Sequence, residues 1–91
     1  MTENPGIVTL TVQFHARYAE LVGTESTTVT LRGPATVAHV LGAVRNQFPG
    51  ARQIPARPLC ALNLAQVELS ASVANGDELA LLPPVATGLP R

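Results

Sequence analysis

Lysine and tryptophan are absent from this 91-residue chain, and aromatic residues are scarce. All six basic side chains are Arg, so no side chain offers an amine for Schiff-base chemistry or isopeptide attachment. Phe14, Tyr18 and Phe48 are the only aromatics, which leaves Val, Leu and Ala to build the core. One cysteine, Cys60, excludes an internal disulfide and a cysteine-cluster metal site. His15 and His39 have no ligand-like spacing to each other or to Cys60, so no metal and no bound cofactor are expected. The formal net charge is zero and no basic stripe exists, which argues against nucleic acid as a partner. No apolar run approaches membrane-spanning length, and Met1 to Gly6 lacks the pattern of a secretory leader. A cytoplasmic protein is the expectation.

What is present has clear periodicity. Val8, Leu10, Val12 and Phe14 alternate with polar residues and predict a strand. Ala16 to Val22 suits a short helix stopped by Gly23. Thr27 to Leu31 alternates again, with Val29 and Leu31 inward, and pairs antiparallel with the first strand. Thr36 is a good N-cap for a helix whose stripe is Val37, Val40, Leu41, Val44 and Phe48. Gly42 within it costs about 0.5–1 kcal/mol against Ala unless something packs closely there. Pro49-Gly50 stops the helix, and Ala51 to Pro58 reads as a loop. Leu59 to Leu64 predicts a strand, and Val67 to Leu69 a short edge strand or turn. Asn75-Gly76-Asp77 turns the chain into a last strand, Glu78 to Leu82.

One amphipathic helix covering a mixed sheet of four or five strands gives the fold class. The class is α+β, a ubiquitin-like β-grasp with the last strand central, beside the first. Residues 1–7 read as an N-terminal extension, 8–85 as the domain, and 86–91 as a flexible C-terminal tail. Pro83 and Pro84 end the ladder, because proline offers no N–H and fixes φ. Val85, Ala86, Thr87 and Gly88 follow, narrow enough to enter another protein. Such a build suits a chain end that is itself the working group.

Phe14-His15-Ala16-Arg17-Tyr18-Ala19-Glu20-Leu21-Val22-Gly23 resembles the first strand and helix of the molybdopterin synthase small subunit. Asn75-Gly76-Asp77-Glu78-Leu79, with Leu81-Leu82-Pro83-Pro84-Val85-Ala86, is similar to that family's last turn, strand and tail. The resemblance spans roughly Val8 to Gly88 and lies within the ThiS/MoaD-type sulfur carriers. Its paired prolines favour the molybdopterin branch over carriers for thiamin, cysteine or tRNA thiolation.

The resemblance implies a carrier rather than a stand-alone enzyme. An adenylating partner uses ATP to activate a C-terminal glycine, sulfur displaces AMP, and the thiocarboxylate enters the large synthase subunit. Gly88 matches the sulfur-bearing glycine. Family tails end in Gly-Gly, whereas Thr87-Gly88 is followed by Leu89-Pro90-Arg91. Loading at Gly88 therefore requires a processing protease; the alternatives are loading at Arg91 and a fold kept without carrier function. His15, Leu81 and Leu82 are the partner-interface candidates, with ordinary core packing as the competing reading for Leu81 and Leu82. Cys60 reads as a small buried hydrophobe. The rival of a different class is a β-grasp interaction module without sulfur chemistry.

Overall fold

The computed structural model describes residues 6–84. Strand β1 (Ile7–Phe14) leads through helix α1 (Arg17–Val22) to β2 (Ser26–Arg32). A two-residue strand β3 (Ala35–Thr36) precedes helix α2 (Val37–Gln47) and a 3-10 turn, Pro49–Gln53. Then come β4 (Leu59–Leu62), β5 (Ala65–Val67), β6 (Ser72–Val73) and β7 (Glu78–Leu82).

Five strands form one sheet in the order β2-β1-β7-β4-β5. β1 pairs antiparallel with β2 and parallel with β7, and β7 pairs antiparallel with β4. The last strand is thus central and beside the first, as the pattern of elements implies. Every second residue of β1, from Val8 to Phe14, is buried, so the period of two in the sequence is the core face of the sheet. Val37, Val40, Leu41 and Val44 of α2 pack onto that face. Phe14 and Phe48 meet edge to face at 6.0 Å.

Local chemistry sets the element ends. Gly23 closes α1 in the left-handed region at φ 88°. At the start of α2 the Thr36 hydroxyl accepts from the His39 backbone N–H at 3.4 Å, and His39 Nδ1 accepts from the Thr36 N–H at 3.0 Å. His39 therefore serves as half of a capping box.

Three details differ from expectation. The stretch from Ala51 is not all loop, because the 3-10 turn occupies Pro49–Gln53, with proline's fixed φ at its start. The strand from Leu59 ends at Leu62, because Asn63 and Leu64 both take positive φ and reverse the chain at once. The edge strand accordingly runs Ala65–Val67 rather than Val67 to Leu69. Finally, β3 and β6 form a separate two-stranded pair that two-residue strands leave no periodicity to reveal.

The glycines separate by what surrounds them. Gly42 is exposed, and a Cβ there would meet nothing within 4 Å. A Cβ on Gly50 would collide with the Leu21 carbonyl, so the 3-10 turn seats against the end of α1 only with glycine. Chemical denaturation should accordingly show Gly42→Ala stabilising the fold by about 0.5–1 kcal/mol. Gly50→Ala should destabilise it by about 1–3 kcal/mol. A neutral Gly50→Ala would contradict the contact.

Candidate functional site

The C-terminal segment leaves the domain from the end of β7. Its root is fixed by a polar latch at the other end of that strand. Gly76 sits at φ 87° in the turn before β7, and its N–H donates to the Thr9 carbonyl at 2.7 Å. The Thr9 N–H donates to Asn75 Oδ1 at 2.8 Å. The Asp77 carboxylate accepts from the Ala74 N–H at 2.7 Å and from Asn63 Nδ2 at 3.0 Å. Asn63 also exchanges backbone-linked bonds with Glu78 at 2.8 and 3.0 Å. Asn75-Gly76-Asp77 thereby fixes β7 against β1 and against the β4–β5 turn.

Register then decides which side chains face outward. Leu79 and Leu81 are fully buried, while Leu82 is half-buried on the opposite face. Leu81 is therefore corrected as an interface candidate, because a one-residue step along a strand reverses the face and its side chain lies in the core. Leu82 pairs with Leu59 across β4, and Ala80 with Ala61. Leu59 is 36% exposed, so Leu59 and Leu82 form an apolar patch on the outer face beside the tail root. His15 is exposed at the end of β1, and its N–H donates to the Leu81 carbonyl at 3.2 Å. Leu59 was open to sequence reasoning: a buried Cys60 on an alternating strand turns Leu59 outward.

Pro83 is half-buried and Pro84 exposed. Arg17, Tyr18, Leu21, Gln53 and Pro55 line a groove beside both prolines. A second groove that also touches Pro84 is lined by Tyr18, Pro55, Arg57, Leu59 and Gln66. Arg45 holds this region in place from α2, donating through Nη2 to the Pro55 carbonyl at 2.8 Å and the Ile54 carbonyl at 3.4 Å. Val85, Ala86, Thr87 and Gly88 lie outside the described residues, as do residues 1–5.

Two titratable groups lie beneath the root. Tyr18 is 2% exposed, and its hydroxyl has no hydrogen-bond partner among the described residues. Burial pushes the phenol above its ordinary value, Arg17 pulls it back and Cys60 adds to the rise. Cys60 is buried, its thiol 3.4 Å from the Pro58 carbonyl, and burial pushes that thiol up as well. A raised thiol is a poor nucleophile at neutral pH, so the core reading of Cys60 fits the geometry. Among the described residues no cluster of His, Cys, Asp or Glu could hold a metal ion, and no helix is long and apolar enough to cross a membrane. Among the described residues, the arrangement fixes Pro83 and Pro84 at the end of the central strand.

The ThiS family profile matches residues 12–88. The chain is 29% identical over 87 residues to the molybdopterin synthase sulfur carrier subunit of Arabidopsis thaliana, covering 96% of this chain and 91% of that protein. Small archaeal modifier protein 1 of Haloferax volcanii superposes with a TM-score of 0.79 at 28% identity, covering 88% of this chain and 99% of that one. Subunit 1 or 2 in the molybdopterin-converting factor complex of Helicobacter pylori superposes with a TM-score of 0.62 at 23% identity, covering 89% and 100%.

The raised groups give stability a pH dependence. A group whose folded pKa lies above its unfolded value stabilises fully below the unfolded value, and that contribution is lost as pH rises through the folded value. Denaturation midpoints should therefore fall on the alkaline side, from about pH 8.5 upward. Tyr18→Phe keeps the ring packing and removes the unpartnered hydroxyl. It should leave stability equal or raise it by about 1 kcal/mol, and shrink the alkaline loss. A marked destabilisation would show that the hydroxyl is bonded after all.

Proposed function

The chain belongs to the ThiS family of sulfur carriers, and from that premise we propose that it is the small subunit of a molybdopterin synthase. Its working group is the Gly88 carboxylate, freed by hydrolysis of the bond to Leu89. An adenylating enzyme joins that carboxylate to AMP with release of pyrophosphate. A sulfur donor then displaces AMP and leaves a thiocarboxylate, which the large synthase subunit accepts. Activation is needed because a free carboxylate is a poor electrophile, whereas the mixed anhydride with AMP is readily attacked. Glycine suits the tip because it brings no Cβ into a narrow channel.

The observation that carries this reading is the placement of the root. The tail departs from the central strand at Pro83-Pro84, directly beside the Leu59–Leu82 patch and His15. A partner that receives the tail can therefore dock on the outer sheet face at the same time. Arg17 and Arg57 each line a groove that touches Pro84. The body has no further chemistry to perform, so ATP is consumed by the partner and no cofactor is held here. The likeness to small archaeal modifier protein 1 favours a second reading, in which the same activated glycine serves another acceptor.

The intact mass of the untagged protein from its native host tests the proposal. The expected result is a species ending at Gly88, a fraction of it carrying sulfur in place of one oxygen. A population that runs entirely through Arg91 while the pathway is active would overturn the carrier mechanism at Gly88. Leu82→Arg on the docking face should weaken binding to the large subunit by about tenfold or more while leaving the fold intact. Unchanged affinity would remove the outer face from the interface.

A further inference from the structure

Charge is segregated along β7. Asp77 and Glu78 stand at its start, whereas the grooves at its far end, about 14 Å away at ~3.4 Å per residue, contain arginine and no acid among the described residues. Arg17 lines one groove and Arg57 the other, with Tyr18, Pro55 and Pro84 common to both. Each groove thus holds one arginine and touches Pro84, the last described residue before the tail. Both residues are exposed, and neither makes an ion pair with a described residue. The nearby acids belong to other clefts: Glu68 lines one with Arg57, and Glu20 and Glu25 line one with His15. Tyr18, whose covered hydroxyl has no hydrogen-bond partner among the described residues, lines both grooves. In a chain of zero net charge, this is a local cationic collar around one functional point.

Resting on the carrier reading above, we propose that these grooves dock an acidic segment of the adenylating partner. Its carboxylates meet Arg17 and Arg57 beside Pro84, where the described part of the chain ends. Activation precedes transfer whichever acceptor follows, so the collar serves that step on every pathway. Arginine suits the task, since its planar fork takes a carboxylate through two parallel bonds. Exposed charge pairs raise association rates strongly and add little to the lifetime of a complex. That balance fits a carrier that must leave once it is loaded.

The test is stopped-flow association of the chain processed to Gly88 with the adenylating enzyme of its own host, at about 50 and 500 mM salt. The variants are Arg17→Glu with Arg57→Glu, and Arg17→Lys with Arg57→Lys. Charge reversal should slow association about tenfold or more at low salt, the gap closing at high salt. The lysine pair should stay within about twofold of wild type, because it keeps the charge. Thermal melting checks that each variant is folded; should the reversal unfold, Arg17→Ala with Arg57→Ala should show a smaller loss of the same salt dependence. Wild-type rates for the reversed chain at low salt would overturn the proposal. So would a deficit that high salt leaves unchanged, or one confined to the large synthase subunit measured in parallel. Wild-type chain that fails to bind the adenylating enzyme at either salt would overturn the carrier reading and this proposal together. Normal binding and activation of wild type alongside an unaffected reversed chain would overturn the collar alone.

Discussion

The parallel pairing of β7 with β1 is the constraint on which the rest of the molecule depends. It joins the two ends of the chain's order in one ladder, with Thr11 opposite Glu78 and Phe14 opposite Leu81. A parallel pair cannot be closed by a tight turn, so everything between the two strands must be accommodated as crossover and cover. The antiparallel partner β4 then makes β7 central, and burial of Leu79 and Leu81 follows from that position. Each fully buried leucine contributes about 1.5–3 kcal/mol from removal of apolar surface from water. The strand that delivers the tail is therefore among the most firmly held parts of the fold.

Holding the strand at its start fixes where it ends. The latch around Asn75-Gly76-Asp77 bonds to Thr9, Asn63 and Ala74, so β7 cannot slide by one residue without breaking several bonds at once. A slip of one would also exchange Leu81 with Leu82 between core and surface. Arg45 does a related task at the other end by holding the Ile54 and Pro55 carbonyls. The position of Pro84 is thus set by contacts from both ends of the domain.

Much of this was legible in the residues. The alternation of Val8, Leu10, Val12 and Phe14 showed both the strand and its buried face, and Thr36 marked the helix start. The central last strand followed from the order of elements. Leu81 and Leu82 were harder, since adjacent leucines hide the parity until a register is known. The outward turn of Leu59 was legible from the alternation beside Cys60, but its pairing with Leu82, 23 positions away, was not. Gly50 read as a helix stop, whereas its role is to admit the Leu21 carbonyl, a contact between elements with no local signature. The Tyr18 hydroxyl is similar: nothing in the sequence tells that the ring is covered while its oxygen finds no partner among the described residues. Long-range contacts decide these positions, and local periodicity does not encode them.

The scarcity of chemistry in the body is consistent with how the family works. A carrier of this type needs a scaffold that holds one chain end at a known place and does not compete with it. Cys60, the one thiol, is buried and its proton held by desolvation, which keeps it unreactive near neutral pH. The chain has no lysine amine for an activated acyl group to attack, and arginine remains a protonated, non-nucleophilic cation across the physiological range. The positive charge at the tail root can then attract a partner without offering a nucleophile beside the activated end. Under the carrier mechanism proposed above, an otherwise inert body leaves the tail as the reactive point.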